Sequence, residues 1–210
     1  MKERLQLGIA RFLQATLVIA GVVAFLRGSW TILFTSIIAL LATFIPALLG
    51  KNFKLNIPVE LHFIATLLIY GTLILGEVGN FYERFWWWDM VLHGGSAIVF
   101  GIVGFVILYT LYEAKRLVAN PYIIGLFTFA FAVAIGVVWE IFEFTMDTLF
   151  NFNMQKSGLV DTMWDLIVDS MGALIAAIVG YFYIKNKGRG KGYINGAIDK
   201  FFASNPRLQK

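Results

Sequence analysis

Cysteine is absent from the 210 residues. Its absence excludes disulfides, a thiolate nucleophile and thiolate metal sites. Charge is scarce as well. Asp, Glu, Lys and Arg make up 14% of the chain, against about 25% in a typical soluble domain. The basic residues give a net charge of +4, yet they form no patch on a polar segment, which argues against nucleic acid as a partner. There is no clear internal repeat, low-complexity stretch or separate soluble domain. Ser-x-x-Lys, His-Glu-x-x-His and nucleotide-loop motifs are missing too, and no organic cofactor is expected.

What the chain has is apolar length. Hydrophobic residues reach 59% and the mean hydropathy is +0.76. Six runs approach the roughly 20 residues needed to cross a bilayer, near 10–26, 30–49, 58–77, 89–112, 121–147 and 161–184. The predicted fold class is all-α: a polytopic membrane helix bundle of about six transmembrane helices, multi-pass in the plasma (inner) membrane. One transmembrane domain is expected over 1–184, with its polar site in 86–180, followed by a basic cytoplasmic tail over 185–210. The tail is expected to lie on the membrane surface or to be partly disordered. The start, "MKERLQLGIAR" before an apolar stretch, also has the form of a signal peptide. An uncleaved first helix is preferred, because no polar mature domain follows it.

Six crossings place both termini on one side. Of the 17 basic residues, all but Arg27, Arg84 and Lys156 fall there, among them Lys51, Lys54, Lys115, Arg116 and a cluster beyond Lys185. The positive-inside rule makes that side cytoplasmic. Every Trp then lies toward the outer face, and the run Trp86-Trp87-Trp88 reads as an interfacial anchor.

The carboxylates break the apolar pattern. Asp89 and His93 open span four. Glu140, Glu143 and Asp147 sit in the outer half of span five, in "GVVWEIFEFTMD". Asp161, Asp165 and Asp169 descend span six at i, i+4 and i+8, one stripe of a helix. The stripes continue through small residues: Ala97, Gly101 and Gly104; Gly136, Ala132 and Gly125; Gly172, Ala176 and Gly180. Small residues mark surfaces where membrane helices approach closely. The acidic stripes are therefore predicted to face one another inside the bundle, with His93 and Asp165 at similar depth. An ionised carboxylate at mid-helix costs about 2.5–3.5 kcal/mol even on the permissive insertion scale. Several together require protons or a cation. The metal candidates are Glu140, Glu143, Asp165, Asp169, Asp89 and His93, with Asp161 and Asp147 in a second rank. Oxygens with one imidazole suit Mg, Mn or Ca, with Zn and Fe as options. Glu140, Glu143 and His93 are the candidate catalytic groups. The plainer alternatives are helix capping for Asp89 and Asp161, a satisfied buried histidine for His93, and solvation at the interface for Asp147, Glu77 and Glu83. Glu60 and His62 read as interfacial.

The motifs "WWDMVLHGG", "WEIFEF" and "GLVDTMWDLIVDSMGA" resemble the YjdF-like family of uncharacterised bacterial inner-membrane proteins. Asp89, His93, Glu140, Glu143, Asp161, Asp165 and Gly172 fall on its pattern, across roughly residues 86–180. More distantly, the order resembles the VanZ-like family, associated with glycopeptide resistance, with Asp169 where that family carries Asn. The resemblance implies membership and not a reaction.

Four functions compete. The first is an intramembrane enzyme open to the outer leaflet, acting on a lipid-linked or cell-wall-related substrate. The second is a proton- or cation-coupled transporter or channel. The third is a non-catalytic binding or resistance protein, and the fourth a purely structural polar layer. Membrane lipids are the common partner of all four, and the sequence leaves oligomeric state open. A fluorescent protein fused after Lys210 should fluoresce, and alkaline phosphatase at the same point should be inactive. The opposite pattern would reverse the orientation.

Overall fold

The computed structural model describes residues 2–151, 153–186 and 193–209. Four basic residues counted toward the cytoplasmic side, Lys187, Arg189, Lys191 and Lys210, lie outside the described residues, as does the side chain of Lys2. Every regular element among the described residues is helical. The helices are α1 (Lys2–Leu26), α2 (Trp30–Ala42), α3 (Ile45–Asn52), α4 (Val59–Ile69), the short α5 (Phe81–Arg84), α6 (Trp88–Glu113), α7 (Pro121–Phe150), α8 (Leu159–Lys185) and α9 (Tyr193–Ser204). A π-helix over Tyr70–Val78 continues α4, and a 3-10 turn closes the chain at Pro206–Gln209. Among the described residues six segments are long and apolar enough to cross a membrane: Glu3–Leu26, Ile32–Asn52, Val59–Val78, Trp88–Glu113, Pro121–Phe150 and Leu159–Lys185. The first begins well before the expected residue 10, because "KERLQLGIAR" has good helix formers and nothing to break it.

The chain divides into two compact units, Met1–Trp88 with Asp199–Asn205, and Asp89–Ile198 with Pro206–Lys210. In the first unit the second and third spans depart from plain α-helix. The second breaks between α2 and α3 at Thr43–Phe44, just ahead of Pro46, whose ring removes a backbone donor. Buried Thr43 donates its hydroxyl to Leu40 O (2.7 Å) and accepts from Gln14 Nε2 of α1 (3.0 Å). The third span widens into the π-helix, and the Trp88 indole N–H donates to the Gly71 carbonyl at 3.2 Å. Trp88 also packs on Phe81 and Trp87, so this member of the expected tryptophan anchor belongs to a packed cluster.

Helix α9 falls within the stretch expected at the membrane surface or partly disordered. It is ordered, and Ile198, Phe201 and Phe202 are buried. Lys200 pairs with Glu3 at 2.7 Å and with Glu60. Hydrogen bonding to Glu3, then Glu60, holds the ammonium above the ordinary lysine range. Glu60 is buried; its compensating charge lies 140 residues away, so the local sequence gives no sign of it.

In the second unit the long helices are set by their ends. Asn120 caps α7, accepting from Ile123 N at 2.9 Å, with Pro121 in the first turn. Asn151 ends α7 in the left-handed conformation at φ 53°. Along α8 the buried residues are Asp165, Asp169, Gly172, Ala173, Ala176, Ala177, Gly180 and Tyr183, the face expected from the spacing. Ile141, Phe144 and Ile175 are exposed and form apolar surface suited to lipid. The helices meet on their small residues. A Cβ placed on Gly101 of α6 would lie 2.4 Å from Ala176 Cβ of α8 and 3.6 Å from Ala132 Cβ of α7. Gly101→Val should therefore force the three helices apart at a cost of about 1–3 kcal/mol, the usual range for overpacking. The expected readout is a lower melting temperature in detergent, with an unchanged midpoint counting against this contact.

Candidate functional site

Each helix of the second unit brings its polar residues in by register. Four residues of α-helix advance about 6 Å and keep nearly the same face. On α6 this puts Asp89 and His93 on one line, and on α8 it aligns Asp165 with Asp169. On α7 the buried face reads Ala132, Glu140, Glu143. Between them Gly136 makes room, since a Cβ there would sit 2.2 Å from Asp169 Oδ2. The Asp169 carboxylate therefore lies against the bare backbone of α7.

His93 is the centre. Its Nδ1 is 3.4 Å from Asp169 Oδ2. Its Nε2 is 3.8 Å from Asp89 Oδ1 and 3.9 Å from Glu140 Oε1, closer to ion-pair than hydrogen-bond distance. One ligand atom from each of Asp89, His93 and Asp165 falls within 4.8 Å of the others. Relative exposure is 8% for His93, 4% for Glu140 and 2% each for Asp165 and Asp169. Polar groups this deep are normally hydrogen-bonded. Yet both oxygens of Glu140, and Asp165 Oδ2, meet no hydrogen-bond partner. Neither residue pairs with a Lys or Arg among the described residues.

The remaining candidates point to other partners. Glu143 is buried and accepts from Trp139 Nε1 of its own helix at 2.8 Å. Asp147 accepts from the backbone N–H groups of Met154 and Gln155, each at 2.8 Å, one on each oxygen. Asp161 accepts from Lys156 N at 3.0 Å, and Gln155 Nε2 donates to Thr162 Oγ1 at 2.6 Å. These bonds lace the α7–α8 loop to the helix ends on either side of it. The candidate set thus sorts into a central group (Asp89, His93, Glu140, Asp165 and Asp169), Glu143 held beside it by an indole, and two aspartates that fasten a loop. The Trp139–Glu143 contact is an i, i+4 pair visible in the sequence, but its tryptophan reads there as an interfacial anchor.

These features define a multi-pass α-helical membrane protein in which three long helices bury carboxylates around one histidine. The chain belongs to the family described as predicted membrane proteins (DUF2238), whose model matches residues 5–186. An uncharacterised protein of Thermotoga maritima is 32% identical over 153 residues, covering 67% of this chain and 72% of that protein. No solved structure matches the chain.

Hydrogen bonds to a charged acceptor contribute about 1.5–3 kcal/mol each. Asp147→Ala, which strands two backbone donors, should speed amide exchange across 153–158 by about tenfold or more. Hydrogen–deuterium exchange read by mass spectrometry measures this. Unchanged exchange there would mean that the loop does not depend on Asp147.

Proposed function

We propose that the group around His93 holds a divalent cation within the membrane. Asp89, His93 and Asp165 supply the first oxygen and nitrogen donors, and Glu140 stands ready as a further ligand. The observation that carries this reading is the trio of buried oxygens without a hydrogen-bond partner, two on Glu140 and one on Asp165. Leaving such groups unsatisfied costs about 1–3 kcal/mol each, more when charged, and a cation removes the cost. The Asp169–His93 contact fits the same scheme, because a carboxylate on one ring nitrogen fixes the imidazole and leaves the other for metal. Oxygen-rich donors with a single imidazole favour Mg, Mn or Ca, with Zn as an alternative.

In the orientation inferred from the charge split, this site opens to the outer leaflet, beneath its headgroups. Its substrate would then be a lipid-linked headgroup or a cell-wall precursor. The YjdF-like motifs quoted above fall on this group, and the VanZ-like likeness is a further reason to consider the cell envelope. A bound cation would polarise a phosphoryl or carbonyl oxygen or lower the pKa of a bound water. Glu140, Glu143 and His93 are the groups that would exchange protons with it. Cation transport is the weaker reading. Beyond Gly136 and Asp169 the buried stripes run through Ala132, Thr128 and Gly125 and through Gly172, Ala176 and Gly180, where a relay would carry ionisable side chains.

Elemental analysis of the purified protein should find about one equivalent of a divalent metal per chain. Asp165→Asn should weaken its binding by about tenfold or more, the usual consequence of losing a ligand or its close support. Metal-free protein that also fails to bind added Mg, Mn, Ca or Zn would remove the proposal. Full affinity in the variant would remove Asp165 from the ligand set.

A further inference from the structure

We propose a second binding site, at the corner between α3 and α4, that takes the phosphate of an anionic phospholipid headgroup. A cavity of about 530 Å³ opens there, with Lys51, Lys54, Asn56 and His62 among its polar lining residues. Among the described residues no carboxylate lines it. Glu60, on the first turn of α4, is turned to Lys200 and is not among the lining residues.

The site is built rather than incidental. The Leu55 N–H closes onto the Gly50 carbonyl at 2.7 Å, and the Lys54 N–H onto the Lys51 carbonyl at 3.2 Å. Lys54 adopts the left-handed conformation at φ 52°, which few non-glycine residues accept without reason. The far wall is clamped by the end of α9. Asn56 N–H donates to Asn205 Oδ1 at 2.7 Å, and Asn205 Nδ2 donates back to the Asn56 carbonyl at 2.8 Å. Asn56 Nδ2 adds a bond to the Ser204 carbonyl at 2.8 Å, and Asn205 is buried. Two lysines and a histidine thus line an open pocket whose described lining residues include no acid.

Its place on the spans selects the ligand's source. One span ends at Asn52 and the next begins at Val59, so the pocket sits where lipid headgroups lie. Pro46, Leu55 and Ile57 are among its lining residues, although the exposed lining is mainly polar. At that depth a phospholipid's phosphate is already held by its acyl chains, whereas a soluble anion must be captured from water. Basic pockets at the ends of membrane helices suit such headgroups.

The test uses the full chain in neutral, phosphate-free detergent, titrated with dioctanoyl phosphatidylglycerol and followed by native mass spectrometry. One lipid should bind per chain and saturate. Lys51→Gln together with Lys54→Gln should weaken binding about tenfold or more, and His62→Ala should weaken it independently. Lys51→Arg with Lys54→Arg should keep it, as should Lys115→Ala with Arg116→Ala. Equal binding by the double-Gln and His62→Ala variants would overturn the proposal. So would equal loss in the Lys115/Arg116 pair, which would signal diffuse attraction. Displacement of the lipid by equimolar inorganic phosphate would assign the pocket to a free anion and overturn it likewise.

Discussion

Carboxylates taken out of water must be compensated, and this chain compensates the two buried acidic regions among its described residues differently. Glu60 receives a lysine from the far end of the chain. Around His93, no described Lys or Arg pairs with Glu140, Asp165 or Asp169, and one imidazole faces Asp89, Glu140 and Asp169. Much of the second unit follows from that crowding. Gly136 is small because Asp169 needs its space. Asp165 and Asp169 fall four residues apart so that both descend the same face of α8. Trp139 turns its indole to Glu143, which takes one more acid out of the unsatisfied set.

Small residues and acidic residues do one job between them. Helices in a bilayer gain little from hiding apolar groups from lipid, so close approach depends on the absence of side chains and on polar contacts. Along α6 and α8 the small residues bring the backbones together and the polar ones meet where the faces continue. The packing that places Gly101 against Ala176 also fixes the level at which Asp89, His93 and Asp165 come within reach of one another.

Much of this arrangement is legible in the sequence, for a simple reason. Hydropathy marks a span through its length, and a four-residue spacing marks a face whatever the partner. The six spans and the buried stripe of α8 follow from those two rules. Details that depend on distant partners do not. Asp169 and His93 are 76 residues apart, and nothing local to Asp169 tells it from a ligand. Asp147 and Asp161 look like members of the acidic layer until the loop between α7 and α8 is seen to donate its N–H groups to them. The break before Pro46 has a readable cause, but average hydropathy passes over it. The wide turns of Tyr70–Val78 have no local sign of that kind. Helix α9 escapes a reading by hydropathy because it is short and mixed. Its order comes from Glu3, Glu60 and Asn56, contributed by the opposite end of the chain.

That last dependence bears on the order of assembly. During synthesis Glu60 emerges and its span enters the bilayer well before the ribosome has added Lys200. For that interval Lys200 is not there to meet the carboxylate, and a proton or another contact must stand in. Completion of the first unit is thus a post-translational event. A nonsense truncation just short of Lys200 would leave every span intact while orphaning an acid more than a hundred residues upstream.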